Sequence, residues 1–256
     1  MTKEMTIKMN FDRIIISVFI FCLAAEVIIF FMDIAMNLAE ILYFEKFKEL
    51  SNVAQEKSFG TWFSVVQNFI VSIIALIISL HHKFIAAQRG KSLGWLLVAL
   101  FFAYISLDDH LVLHERISGT LRSVFLPSFY GKRITLPTYS WLFLFGPLFG
   151  AFGIFFLIFL FRQLNDKKFR IILITGLSLW VMAVILDAWD GTSHPYEWII
   201  KITGCKTIYI RHSFMLVEEM LEMLGSTLFL YLFLSHIKLQ SYLSIMISPA
   251  RGNWRD

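Results

Sequence analysis

Six stretches of this chain are apolar over about 20 residues, the length a helix needs to cross roughly 30 Å of hydrocarbon at ~1.5 Å per residue. Inside a bilayer no water is present to bond an exposed N–H or C=O, so each stretch must satisfy its backbone internally as a helix. The spans run roughly from Ile14 to Met36, Thr61 to Leu80, Leu93 to Val112, Tyr139 to Phe161, Ile171 to Asp190 and Ser213 to Leu234. The expected fold class is therefore all-α, an integral membrane helical bundle of about six transmembrane helices in a single domain. A hydrophobic fraction of 57% with only 16% charged residues excludes an ordinary soluble domain. Five prolines and thirteen glycines leave no low-complexity linker, and no internal repeat is visible.

An even number of spans puts both termini on one side. Lys83, Arg89 and Lys91, then Arg162, Lys167, Lys168 and Arg170, crowd the two short connections, so 13 of the 23 Lys and Arg fall on the side of the termini. The positive-inside rule makes that side cytoplasmic and the expected location the cell membrane, the inner membrane if the cell is bacterial. The same cations account for the net charge of +4, and no nucleic-acid role is expected. Lys3, Lys8 and Arg13 before the first run resemble a signal peptide, but the run is long and lacks a small-residue cleavage pattern, so it is expected to stay as a span. Cys22 and Cys205 suggest neither a disulfide framework nor a thiolate metal set.

The three long connections, 37–60, 113–138 and 191–212, fall at the other end. In the first, AEILYFEKFKEL has the spacing of an interfacial amphipathic helix. Trp62, Trp95, Trp141 and Trp189 lie near span ends, as an aromatic belt places them, and His81, His82 and His236 at the headgroup level. Gly146 and Gly150, four apart in the fourth span, offer a close approach to another helix.

Against this apolar background, ten of the nineteen acidic residues lie in or beside the spans. Charge in hydrocarbon is expensive, and intramembrane acids as a rule face the bundle interior and mark a metal site, a relay or an ion path. The third span ends in SLDDHLVLHERI, where a continuous helix puts Asp108 and Glu115 on one face and the metal-ligand pair His110 and His114 on another. The fifth ends in DAWDGTSH, where Asp187, Asp190 and His194 form one stripe if the helix persists through Gly191. The sixth enters as HSFMLVEEMLEMLGS, with Glu218 and Glu222 on one face and Glu219 turned by ~100°. Asp108, Asp187, Glu218 and Glu222 all come out roughly 18–25 Å from the cytoplasmic ends of their spans. The first span adds Glu26 and Asp33, and the second Gln67 and Asn68 near the same level.

So many carboxylates cannot all ionise unpaired at low dielectric, and Arg116, Lys201 and Arg211 are too few to balance them. The expected ligands of a divalent metal (Zn, Fe, Mn or Cu) are Asp108, His114, Glu115, Asp187, Asp190, His194, Glu218 and Glu222, with Asp109 and Glu219 free to act as general bases. The Glu-x-x-His signature of di-iron bundles is absent.

LDDHLVLHERI together with VEEMLEMLGS resembles segments of uncharacterised multi-pass bacterial membrane proteins, a likeness over about 25 residues that implies a shared unit of Asp108, His114, Glu115, Glu218 and Glu222 but no activity. DGTSH followed by His212 resembles, more faintly, the copper-binding C subunit of particulate methane and ammonia monooxygenases, with a longer downstream spacing and without that family's arginine–aspartate pattern. The late His-x3-His of alkaline ceramidase-type hydrolases is missing from the last span.

The expectation is thus a membrane-embedded metalloenzyme, a hydrolase or oxidase acting on a lipid-like or small substrate. The alternatives are a proton- or cation-coupled transporter and a noncatalytic subunit of a membrane complex.

Overall fold

The computed structural model describes residues 11–39, 41, 44–125 and 139–239, and among them every regular element is helical. The elements are α1 (Phe11–Asp33), continued by a π-helical turn at Ile34–Leu38, α2 (Glu45–Ser51), α3 (Phe59–Phe84), α4 (Arg89–Leu111), α5 (Leu113–Phe125), α6 (Ser140–Gln163), α7 (Lys167–Asp190), α8 (Glu197–Thr203) and α9 (Thr207–Leu239). Six of these, α1 with its π turn, α3, α4, α6, α7 and α9, are long and apolar enough to cross a membrane. The segment expected to be amphipathic around residues 39–50 is helical only over α2, and Glu40, Leu42 and Tyr43 lie outside the described residues, as do Lys3 and Lys8 and positions 126–138 of the second long connection.

Local chemistry marks the helix ends. Ser58 caps α3 by accepting from the Thr61 N–H at 3.1 Å, and Asp166 caps α7 by accepting from the Lys168 N–H at 2.8 Å. After α8 the chain turns at Gly204, whose φ of +67° is cheap only for glycine. Two connections depart from expectation. The helix after Asp187 ends at Asp190 with Gly191 as its cap, so His194 leaves the stripe. The third span ends at Leu111, because Val112 adopts a left-handed conformation (φ 50°, ψ 45°). With α5 starting in a new direction, the helical spacings of His110 with His114 and of Asp108 with Glu115 no longer apply.

Helix α9 is the hub, packing against α1, α3 and α7, while α3 and α4 form a long antiparallel pair and α6 lies outside, against α5 and α7. The α7–α9 contact is close because two glycines face each other. A Cβ on Gly225 would meet Trp180 Cδ1 at 2.5 Å, and one on Gly176 would meet Phe229 Cζ at 3.1 Å. In lipid, where apolar side chains gain little by leaving the solvent, such close backbone approach supplies the packing. The approach expected at Gly146 and Gly150 does not occur, since no neighbour among the described residues lies within 4 Å of a Cβ at either. These two glycines lie on α6, which stays at the periphery of the bundle.

The middle of the bundle is filled by Ile78, Trp95, Phe102, Phe156, Phe229 and Phe233, each 2% exposed or less. Their rings meet edge to face, as between Phe102 and Phe233 (5.8 Å) and between Phe156 and Phe229 (5.4 Å). Trp95 is thus core and not an aromatic belt residue, and its indole stacks on His236 at 5.1 Å. His81, His82 and His236 are buried as well, turned into the bundle at the short-turn end and not toward headgroups. Trp62 and Trp189 are exposed near the long-loop end, where a belt would hold them.

Candidate functional site

The polar groups gather at the long-loop end, above the aromatic core. Their arrangement follows from the break at Val112. Because the helix breaks there, His114 comes to lie against the last turn of α4. Its N–H donates to Asp108 Oδ1 at 2.9 Å, and its Nδ1 lies 2.5 Å from Oδ2. Tyr104, one turn earlier on α4, donates to the same carboxylate at 3.3 Å. Burial disfavours charge on His114, but the hydrogen bond and the charge of Asp108 outweigh it, and the imidazole holds its proton more tightly than a free histidine. With Nδ1 engaged by a carboxylate, Nε2 is the nitrogen left for a ligand, the arrangement in which an outer carboxylate orients a metal-binding histidine.

The ring of His114 lies edge-on to Trp141 of α6 at 4.8 Å. The Trp141 indole donates to Asp187 Oδ2 at 3.0 Å, so this tryptophan belongs to the site and not to a belt. On the opposite wall, Asp109 accepts from Ser64 (2.7 Å) and Asn68 (3.1 Å) of α3. The Asn68 carbonyl oxygen is buried and has no partner.

Between these walls stands α9. Glu219 lies within electrostatic reach of Asp109 and Asp187, Glu222 of Asp108 as well, and Glu218 of Asp187, Glu222 and Asp190. None of the three glutamates accepts a hydrogen bond from a described side chain. Carboxylates from α4, α7 and α9 thus share one partly shielded space, with His114 as the imidazole beside them.

The remaining expected ligands are not part of this group. Asp190 is enclosed by donors: Tyr139 at 2.7 Å, Tyr196 at 2.8 Å and Arg211 through Nε and Nη2 at 3.0 and 2.8 Å. It pins together the starts of α6, α8 and α9 with its lone pairs taken. Burial, then the hydrogen bonds to Asp190 and its charge, push both tyrosine hydroxyls well above their ordinary pKa. Glu115 is exposed on α5, and His194 is exposed and pairs with Glu197 at 3.2 Å. Among the described residues, no three His, Cys, Asp or Glu side chains converge closely enough to hold a metal ion as they stand.

Two further carboxylates lie on α1. Asp33 is wholly buried, accepts from the Val53 N–H at 2.8 Å and lies 2.5 Å from His212 Nε2, which ties the connection before α3 and the start of α9 to the π turn. Glu26 accepts from Thr227 (2.6 Å) and Gln67 (3.3 Å). Sequence reasoning missed Ser64, Tyr104, Trp141, Tyr139, Tyr196 and Thr227. Tyr104 and Ser64 carry the i, i+4 signal toward Asp108 and Asn68; the other four sit on different helices from the groups they bond and leave no local trace.

Helix count, apolar faces and buried acids define this molecule as a multi-pass helical membrane protein with a carboxylate-rich interior at one end. The chain belongs to a domain of unknown function family, DUF8692, whose model matches residues 15–237, the whole bundle from α1 to α9. No curated protein and no solved structure matches it.

Proposed function

We propose that the carboxylate group of α4, α7 and α9 binds a divalent metal (Zn, Fe, Mn or Cu) and that the protein is a membrane-embedded metalloenzyme of the cell membrane. The observation that carries this reading is the trio Glu218, Glu219 and Glu222, three acids that accept no hydrogen bond from a described side chain, beside Asp109 and Asp187. Like charges at low dielectric repel steeply with proximity, and a bound cation is the direct remedy. Glu218, Glu222, Asp187 and the Nε2 of His114 are the residues that would hold the ion. Asp108 orients His114. Asp109, held by Ser64 and Asn68, and Glu219 are the candidate general bases. A metal here would polarise a substrate oxygen or activate water or dioxygen, so hydrolysis and oxidation are the two reaction classes. A site within the spans suits a lipid-like or small substrate.

The runner-up, a cation or proton carrier, draws support from Glu26, which lies deeper than the main group. The aromatic filling from Phe102 to Trp95 weighs against it, since it sets apolar rings between the acids and the short-turn end. Elemental analysis of purified protein tests the leading reading. Stoichiometric metal is expected in the wild type and in a Glu45→Gln control on exposed α2, and loss of that metal in a Glu218→Gln, Glu222→Gln variant that remains helical. A metal-free wild type after expression with each ion would overturn the assignment and favour the carrier.

A further inference from the structure

Glu26 lies about 10 Å along α1 from Asp33, in mid-span, and has no exposed surface at all. It sits in a triangle drawn from three helices. Thr227 Oγ1 of α9 donates to Glu26 Oε1 at 2.6 Å, and Gln67 Nε2 of α3 reaches both Glu26 Oε1 (3.3 Å) and Thr227 Oγ1 (2.5 Å). Two oxygens of this triangle, Glu26 Oε2 and Gln67 Oε1, are fully buried and have no partner. Both are acceptors, so what the site lacks is a donor or a cation. Rotating the Gln67 amide does not repair it, because that would set the amide oxygen against Glu26 Oε1.

The groups that interact with Glu26 are Thr227, Gln67 and the thiol of Cys22, one turn before it on α1; none is cationic. A buried acid in hydrocarbon without a counter-charge is among the costliest arrangements a membrane helix can carry. A set of carboxylate, amide and hydroxyl oxygens suits a hard cation. One carboxylate supplies one negative charge, so a monovalent ion neutralises the site and a divalent ion would leave it positive.

We infer that Glu26, Gln67 and Thr227 form a binding site for one small monovalent cation, a proton or Na⁺, held between α1, α3 and α9 and separate from the metal site proposed above. A bound proton would sit on Oε2; a sodium ion would take Oε2, Gln67 Oε1 and Thr227 Oγ1. The site does not rest on the metalloenzyme reading, and Thr227 lies about 7.5 Å along α9 from Glu222.

Infrared difference spectroscopy on chelator-treated protein in bilayers reads the occupant. In sodium-free choline buffer at neutral pH, the wild type minus the E26Q variant is expected to contain a protonated-carboxyl carbonyl band. Adding Na⁺ distinguishes the sources: replacement of that band by carboxylate bands identifies Na⁺ as an occupant, and a band that persists identifies the proton alone. Carboxylate bands already present without Na⁺ and unmoved by it would overturn the inference, since an ionised Glu26 would then stand with no cation. If E26Q does not fold, Thr227→Val replaces it, and the expected result is a shift of the same band as Glu26 loses its shortest hydrogen bond. Metal stoichiometry of the variants, read separately, keeps a failure here distinct from a failure of the metal site.

Discussion

Asp190 accepts from four donors on three side chains, and its carboxylate is 6% exposed beside an Arg211 that is 53% exposed. Asp190→Ala removes the acceptor from the buried Tyr196 phenol, the partly buried Tyr139 phenol and one guanidinium, and unmet donors of that kind cost about 1–3 kcal/mol. The expected outcome is a lower melting temperature in detergent with metal content unchanged, measured by thermal unfolding beside elemental analysis. The two phenols add a pH signature. Their folded pKa values stand above the usual ~10, so the stability they confer is complete below that value and is lost as pH rises through the higher folded values. Asp190→Asn should bring tyrosinate absorbance on at lower pH than in the wild type. Val112 makes a different point: a β-branched residue held left-handed costs roughly 1–2 kcal/mol, sustained by the Asp108–His114 contacts around it. Val112→Gly is expected to relieve that strain and raise the melting temperature. Apolar side chain and mid-pattern position give no hint in the sequence of a turn at Val112, whereas the acids on either side of it were plain.

Among the elements, α7 and α9 make the contact most sensitive to a single atom. A Cβ at Gly225 runs into Trp180, whose indole also donates to the Glu222 carbonyl at 3.1 Å. Gly225→Ala should therefore separate the helices that carry Asp187 and the three glutamates, at a cost of about 1–3 kcal/mol for overpacking. Gly146→Ala and Gly150→Ala should change stability by no more than about 0.5 kcal/mol. Unfolding of the three variants in one detergent checks the contrast; equal effects would mean that α6 packs where the structure leaves it open. The spans were legible because a run of apolar residues is a local property. The partner of each glycine was not: Gly146 and Gly150 have the favourable spacing, while Gly176 and Gly225, in two different spans, have the contact.

For the molecule as a whole, the distribution of Lys and Arg leads us to expect the long-loop end outside. Cys205 is exposed at that end and Cys22 is buried in α1. A membrane-impermeant thiol reagent added to intact cells is expected to modify Cys205 and spare Cys22; modification of Cys205 only after the cells are opened would invert the topology. Composition and periodicity by themselves determined six helices and acids gathered toward one end, since hydrocarbon admits helices and penalises charge wherever it sits along the chain. Only the tertiary structure decided what each acid does. Asp190 is a structural clasp because Tyr139, Tyr196 and Arg211 converge on it from three other elements. His114 is oriented because Val112 breaks the helix, and Glu26 has no counter-charge among the described residues because α3 and α9 bring it an amide and a hydroxyl. The environment of a buried charge is set by side chains far away in sequence, and pairings of that range leave no periodicity to read.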